Sequence, residues 1–147
     1  MFNKSHGPIT IAAIYCPPRY SITTTQYKDY LQTLGHRFIA GGDFNCKNTE
    51  WGSRLTNSKG KTLLDALKTN NIKFISTGEP TYWPSDLQKR PDLIDFAIYK
   101  NITKEKLRIK SCSELTSDHS PILISYDEEV EPEIFNSKPH NRGTNWD

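Results

Sequence analysis

The stretch RFIAGGDFNCKNTEWGS, residues 37–53, joins a short apolar run to a cluster of polar side chains. The run RFIA predicts a strand, which leads the chain into a GGD corner. On an extended chain, residues two apart point the same way, so Asp43 and Asn45 project together and the phenylalanine between them turns inward. The alternative is an ordinary turn, since Gly, Asp and Asn favour turns for conformational reasons alone. Both interpretations remain open at this point.

The chain before this stretch predicts one strand and one helix. Residues 9–16 are β-branched and apolar, and two prolines follow them, which indicates a buried strand with Tyr15 at its end. The apolar positions of residues 27–34 recur with helical spacing. Threonines before this run can cap a helix, and Gly35 suits its end. A strand, a helix and a second strand therefore precede the polar cluster.

A second helix and four further strands are predicted after it. Leu63, Leu64 and Leu67 line one helical face, and Thr62 with Asp65 has the spacing of a capping box. The asparagines at positions 70 and 71 end this helix. The strands are predicted at residues 73–76, 94–99, 107–111 and 122–126. Helices among the early strands, followed by strands in succession, predict an α/β sandwich with mixed sheets.

Length and composition favour one intracellular domain. The 147 residues suffice for a single core, and we predict a domain over residues 1–126 followed by a disordered polar linker over residues 127–147. A net charge of +2 is too small to indicate nucleic acid by itself. The three cysteines lack metal-site spacing, which predicts reduced thiols. No signal peptide or membrane-length apolar run is visible, so we expect a protein that is neither secreted nor bound to a membrane.

Polar residues gather at four predicted strand ends. They are Tyr15, then Asp43 with Asn45, then Asp92 and Asp95, then Asp118 with His119. Taken singly, each residue can be explained by a structural role alone. If these strand ends lie at one edge of a sheet, however, their polar side chains would converge in one cleft. Carboxylate and amide oxygens without cysteine suit Mg²⁺ or Mn²⁺, and such ions commonly bind phosphate. The pattern therefore predicts phosphodiester hydrolysis.

The ordered motifs IYCPP, GGDFN, LIDFAI and LTSDHSPI resemble those of the endonuclease/exonuclease/phosphatase superfamily, which includes apurinic/apyrimidinic endonucleases and DNase I. The intervening stretches WGS, KG, EPTYW and RPDLID are similar to the endonuclease domain of jockey-type non-LTR retrotransposons. The resemblance implies a DNase I-like four-layer α/β sandwich. It also implies a DNA substrate, a nuclear location, and a reverse transcriptase domain downstream of TNWD.

The resemblance also implies roles for individual residues. Asp43 and Asn45 would activate and orient the attacking water, Asp95 would orient His119, and His119 would contact the scissile phosphate. Tyr15 would approach the phosphate from the other side. These five residues are the expected catalytic groups. Asp118, together with Asp43 and Asn45, is the expected set of metal ligands.

One departure from the superfamily bears on activity. Its complete members carry an N-terminal half with a metal-binding glutamate, and nothing before Tyr15 supplies that residue. We therefore expect an N-terminally truncated domain. Two functions remain open: a metal-dependent DNA endonuclease, and a non-catalytic remnant that at most binds DNA or another protein. Asp92 is a weaker site candidate than Asp95. For Trp51, Tyr82 and Trp83 two interpretations are open: they stack on or wedge against DNA, or they pack in the core or in loops.

Overall fold

The computed structural model describes residues 7–112 and 117–127. The predicted linker, apart from Asp127, lies outside the described residues. The strands are β1 (Thr10–Tyr15), β2 (Phe38–Asp43), β3 (Lys73–Ile75), β4 (Asp95–Lys100), β5 (Leu107–Ser111) and β6 (Ile122–Tyr126). The α-helices are α1 (Thr24–Thr33) and α2 (Ser58–Thr69). Short 3₁₀ helices span Thr49–Trp51 and Lys104–Lys106.

The strands form two sheets. The larger sheet has the order β1-β2-β4-β3, in which β1 runs parallel to β2 and the other neighbours are antiparallel. The smaller sheet is the antiparallel pair β5-β6. The prediction of mixed sheets is therefore confirmed, and every predicted strand is present with its ends shifted by at most three residues. The prediction that the first strand is buried is wrong, because every residue of β1 is half-buried or exposed at this edge of the sheet.

The two faces of the larger sheet bury different cores. Side chains alternate along a strand, so Phe38 and Ala40 of β2 pack toward α1 and α2, whereas Ile39 packs on the opposite face. There it joins a smaller cluster that includes Tyr99 and Ile124. Helices, the four-stranded sheet and the β5-β6 pair thus form three successive layers within the described residues.

The two helices begin where polar side chains cap them. Thr23 caps α1 in a reciprocal capping box with Gln26, which confirms the predicted role of the threonines. The capping box predicted at Thr62 is wrong, because α2 begins a turn earlier, where the Asn57 side chain accepts from the backbone N–H of Gly60 at 2.7 Å. Apolar periodicity starts only at Leu63, which is why the sequence placed this start too late.

The GGD segment continues β2 and is not a corner. Gly41, Gly42 and Asp43 all pair with both neighbouring strands, so the turn interpretation is wrong for these three residues. A Cβ atom on Gly41 would collide with the side chain of Ile124 from the smaller sheet. Gly42 has φ +143°, and a Cβ atom there would collide with the backbone of β1. The two glycines therefore allow the sheets and strands to approach closely at this point.

Among the described residues, neither helix combines the length and apolar character that a membrane span requires.

Candidate active site

Strand register places three predicted site residues in one row. Tyr15 is the pairing partner of Asp43 across β1 and β2, and Asp43 is the pairing partner of Asp95 across β2 and β4. Residues directly opposite each other on neighbouring strands share a face of the sheet. The row lies on the face that the β5-β6 pair covers, at the end of the sheet where β1 and β2 finish. The expected convergence at one edge is thus confirmed for Tyr15, Asp43 and Asp95.

Asp43 and Asn45 form a closed pair of hydrogen bonds. The backbone N–H of Asn45 donates to Asp43 Oδ1 at 2.8 Å, and the Asn45 amide Nδ2 donates to Asp43 Oδ2 at 2.6 Å. Asn45 has φ +47°, a left-handed conformation that asparagine tolerates better than most residues. Phe44 is buried against Phe96. The side chains meet as predicted, but a turn after Asp43 brings them together, not continued strand alternation.

The surroundings of Asp43 shift the pKa of its carboxyl upward. Burial raises its pKa above the ordinary value, and the nearby Asp95 carboxylate adds to the rise. The backbone N–H of Asn45 and the charges of His119 and Lys59 oppose this shift without cancelling it. Lys59 is held in place by donating to the Pro17 carbonyl at 2.8 Å. A carboxylate with a raised pKa is a stronger base toward a water molecule.

His119 is anchored to Asp95. Its Nδ1 lies 2.9 Å from Asp95 Oδ2, and the Asp95 residue is only 8% exposed. An ionised carboxylate only accepts hydrogen bonds, so we assign the proton to Nδ1, which leaves Nε2 directed away from the carboxylate. His119 comes from the segment before β6, whereas Asp95 begins β4. The partner that an aspartate inside an apolar run was expected to need is therefore a histidine 24 positions away.

Thr81 is a site residue that the sequence did not reveal. Its hydroxyl donates to Asp95 Oδ2 at 2.7 Å and accepts from the backbone N–H groups of Ile94 and Asp95. The Thr81 residue is completely buried. Because its donor and acceptor capacity are both used, Thr81 fixes the orientation of the carboxylate that holds His119. The only sequence signal was its place in EPTYW, which says nothing about a contact with Asp95.

Asp118 is the third of the expected metal ligands. The Asp118 carboxylate is exposed, its Oδ1 lies 3.4 Å from the Ser117 hydroxyl, and its backbone carbonyl accepts from Trp83 N–H at 2.7 Å. Across residues 7–112 and 117–127, no group of three or more His, Cys, Asp or Glu side chains is arranged so that it could hold a metal ion. Mg²⁺ commonly uses one or two protein carboxylates and completes its shell with water and substrate phosphate. The expected ligands Asp43, Asn45 and Asp118 are oxygen donors of the type that Mg²⁺ prefers, and their role in metal binding remains a prediction.

Asp92 has a structural role in this arrangement. Its carboxylate is fully buried and forms an ion pair with Lys47 Nζ at 2.9 Å. It also accepts from the backbone N–H groups of Arg54 and Leu93. Burial alone would raise the pKa of Asp92, but the hydrogen bond and charge of Lys47 together with these N–H groups hold it below its ordinary value. Ranking Asp92 below Asp95 agrees with this geometry.

The three aromatic residues weighed as DNA contacts differ in exposure. Trp51 is buried in the core, where it stacks on Phe96 and its Nε1 donates to the Cys46 carbonyl. Trp83 is 49% exposed and donates to Ser120 Oγ beside the histidine. The ring of Tyr82 lies 5.0 Å from that of His119. Only Tyr82 and Trp83 therefore border the row of polar residues.

The three cysteine thiols are free and are not among the candidate catalytic groups. Cys16 and Cys46 are buried, Cys112 is half-buried, and all three are free, as the sequence predicted. Burial raises the pKa of Cys46 to about 11, so its thiol stays protonated and unreactive near neutral pH.

Comparison with known proteins agrees with the motifs and the geometry. The sequence pattern of the family described as "Endonuclease-reverse transcriptase" matches residues 9–123. The chain belongs to this family. The probable RNA-directed DNA polymerase from transposon X-element of Drosophila melanogaster is 36% identical over 121 residues, and the RNA-directed DNA polymerase from mobile element jockey of Drosophila funebris is 33% identical over 119 residues. The chain therefore has the retrotransposon relatives that its motifs indicated.

These relatives are much longer than the chain. The aligned region covers 82% of the chain but 13% of the X-element protein, and 81% of the chain but 13% of the jockey protein. Among solved structures, the endonuclease domain of TRAS1, a telomere-specific non-LTR retrotransposon, matches with a TM-score of 0.64 at 21% identity. That match covers 73% of this chain and 51% of the TRAS1 chain. The fold is the DNase I-like α/β fold of that domain.

Proposed function

We propose that this chain carries the active site of a DNA endonuclease that hydrolyses a phosphodiester bond with Mg²⁺ or Mn²⁺. The observation that supports this most directly is the row of Tyr15, Asp43 and Asp95. His119 is hydrogen-bonded to Asp95 at the end of that row. The row combines a candidate base, a hydroxyl and an oriented imidazole on one face of one sheet edge. Those are the groups that phosphodiester hydrolysis requires.

The proposed reaction divides the work among these side chains. Asp43 accepts a proton from water, and Asn45 holds both the Asp43 carboxylate and the water in position. The water oxygen then adds to phosphorus as the bond to the leaving oxygen breaks, and the leaving oxygen takes up a proton from solvent to become a hydroxyl. His119 donates a hydrogen bond to the phosphate through Nε2, and Asp95 keeps the ring in that orientation. Tyr15, whose residue is 70% exposed, contacts the phosphate from the β1 side.

The proposed metal ligands are Asp118, Asp43 and Asn45. When bound, the ion neutralises charge that develops on the phosphate oxygens. The proposed wider setting is a longer retrotransposon protein in which a reverse transcriptase domain follows. A chromosomal DNA substrate corresponds to a location in the nucleus.

A second candidate function is a non-catalytic domain that at most binds DNA or another protein. The observation that favours it is the lack, among the described residues, of any group of three acidic, histidine or cysteine ligands. Affinity for hard cations depends on the number and charge of the ligands, so fewer ligands would mean weaker binding of the ion.

Nicking of supercoiled plasmid separates the two candidates. The chain is assayed with Mg²⁺, with Mn²⁺ and with EDTA, beside Asp43→Ala and His119→Ala. The matched control is Asp65→Ala, which removes an exposed carboxylate from α2. Metal-dependent nicking that survives only in the wild type and in the control supports the endonuclease. Equal nicking by all four proteins contradicts it, and the absence of nicking by a folded wild-type chain favours the non-catalytic domain.

A further inference from the structure

A positively charged cleft lies beside the candidate active site. It has a volume of about 330 Å³. Its lining contains four cationic side chains together with an aromatic ring and two further residues, namely Lys47, Arg54, Lys89, Arg90, Tyr82, Pro84 and Gln88. We call this feature the basic cleft. Nothing in the reaction proposed above uses it.

Two of the cations are held in place by a buried carboxylate. Lys47 Nζ lies 2.9 Å and an Arg54 terminal nitrogen 3.6 Å from Asp92 Oδ2, and Arg54 Nε also donates to the Pro91 carbonyl at 3.0 Å. The Lys47 and Arg54 side chains nevertheless remain 30% and 42% exposed. An ammonium has three donors and a guanidinium five, so both groups retain donors for a ligand in the cleft. Their positions are fixed before a ligand arrives.

The basic cleft has more positive charge than is needed to neutralise the Asp92 carboxylate. One buried carboxylate is balanced by one or two cations, and Lys47 with Arg54 supplies these. Lys89 and Arg90 are exposed and add two further positive charges. Asp86 adds one negative charge near these residues; its Oδ1 accepts from the backbone N–H of Gln88, and its backbone carbonyl accepts from the backbone N–H of Lys89. The cleft therefore keeps an excess of positive charge, which favours an anionic ligand.

Backbone pairing connects the cleft to the site. Tyr82 bridges to Asp92 on one side and to His119 on the other, so the two residues lie two strand spacings apart, roughly 10 Å. One strand of duplex DNA places a phosphate at about every 3.4 Å of helix axis. A strand whose scissile phosphate lies at His119 therefore has phosphates a few nucleotides away within reach of the basic cleft.

We propose that the basic cleft binds backbone phosphates of the DNA strand that flank the bond to be cut. This inference rests on the proposed endonuclease function and extends it. Lys47 and Arg54 form the fixed wall of this phosphate site, and Lys89 and Arg90 form its adaptable wall. Contacts of this type position the substrate and carry no base specificity.

The test compares two variants that lose the same charge. Lys89→Gln/Arg90→Gln removes two charges from the cleft. Lys68→Gln/Lys73→Gln removes two charges from the far end of the sheet, where Lys73 pairs with Tyr99. Binding of a short DNA duplex to the full chain is measured in EDTA over a range of salt concentrations, after circular dichroism confirms that each variant folds. Arg54→Gln, in which Lys47 still faces Asp92, is measured in the same way.

The expected result is specific to the cleft. The slope of log affinity against log salt is negative, and each lost phosphate contact reduces its magnitude by about 0.9 and weakens binding roughly tenfold near 0.1 M salt. We expect the magnitude to fall by about 1 to 2 for Lys89→Gln/Arg90→Gln and by about 1 for Arg54→Gln, with the Lys68→Gln/Lys73→Gln slope unchanged. Unchanged slopes in both cleft variants, equal loss in the control, or no DNA binding by the wild type would overturn the proposal.

Nicking by the same proteins distinguishes this inference from the function on which it rests. If the salt slopes of the cleft variants are less steep but the wild type does not nick DNA, phosphate binding by the basic cleft is supported and the endonuclease function is contradicted. Wild-type nicking with unchanged slopes would support the endonuclease and contradict the cleft. With both proposals correct, Lys89→Gln/Arg90→Gln raises KM about tenfold or more and leaves kcat near the wild-type value.

Discussion

The imidazole Nδ1 of His119 lies 2.9 Å from the carboxylate Oδ2 of Asp95, which joins the segment before β6 to the first residue of β4. The same oxygen accepts from the Thr81 hydroxyl at 2.7 Å. One buried carboxylate oxygen thus orients the ring whose other nitrogen we assign to the phosphate. This relationship links the smaller sheet to the row of polar residues on the larger one.

Asp95→Asn tests that relationship. The amide preserves the size of the side chain but presents an NH₂ group or a weaker acceptor to His119 Nδ1, so the ring loses its fixed tautomer and orientation. We expect plasmid nicking to fall by about 10²- to 10⁴-fold, with far-ultraviolet circular dichroism unchanged. Asp65→Asn is the matched control. Nicking within twofold of the wild type would contradict the proposed positioning role of Asp95.

Thr81→Val tests the support beneath Asp95. Valine has nearly the same shape but leaves the buried N–H groups of Ile94 and Asp95 without their acceptor. We expect the free energy of unfolding, from urea titration, to fall by about 1–3 kcal/mol, together with a loss of nicking. Thr81→Ser keeps the hydroxyl and serves as the rescue control. Activity lost equally in both variants would mean that packing of the methyl group matters, not the hydrogen bond to Asp95.

We expect Asp43→Asn to raise the melting temperature and to lower the nicking activity. The folded pKa of Asp43 is raised, chiefly by burial, so stability linked to this group is fully present below its unfolded pKa of about 3.9 and is lost as pH rises through the folded pKa. At pH 7 the substitution removes a disfavoured charge, so the melting temperature should rise while nicking falls by about 10²-fold or more. The stability gain should shrink as pH falls to 3. A lower melting temperature at pH 7 would contradict the sign of this argument.

Lys47→Met tests the buried ion pair at the wall of the basic cleft. Methionine fills similar volume but leaves Asp92 with only its backbone donors and the more distant Arg54. We expect a loss of about 1–3 kcal/mol at pH 7, measured by urea unfolding. The folded pKa of Asp92 is depressed, so the stability it contributes is present above its unfolded pKa and is lost as pH falls through the folded pKa. The difference between wild type and Lys47→Met should therefore narrow toward pH 2.

Lys59→Met provides the comparison for Lys47→Met, because both lysines approach acidic groups but only Asp92 is completely enclosed. Lys59 Nζ donates to the Pro17 carbonyl at 2.8 Å, and both residues are only half-buried. A partly solvated lysine contact of this kind contributes about 0–1 kcal/mol. Equal destabilisation by the two substitutions would show that the burial of Asp92 does not set the size of the effect.

The sequence by itself determined the elements, because their signals are local. Short apolar and β-branched runs predicted the strands, the helical spacing of apolar residues predicted α1 and α2, and the threonines before residue 27 were expected to cap α1. The four motifs also selected Tyr15, Asp43, Asn45, Asp95 and His119 as residues that belong to one site. The start of α2 was missed because Asn57 caps a first turn that has no apolar periodicity.

Tertiary structure alone decided how those residues meet. The pairing of Tyr15 with Asp43 and of Asp43 with Asp95 depends on strand order and register, which long-range packing sets and no local pattern encodes. The same holds for Thr81, whose hydroxyl reaches Asp95 only because a loop folds back along β4. It also holds for Asp92, which the sequence motifs ranked below Asp95: only the folded structure shows that Asp92 pairs with Lys47 and that Asp95 pairs with His119. Contacts between distant segments form only when the core closes, and for that physical reason the site's geometry was not readable from the chain.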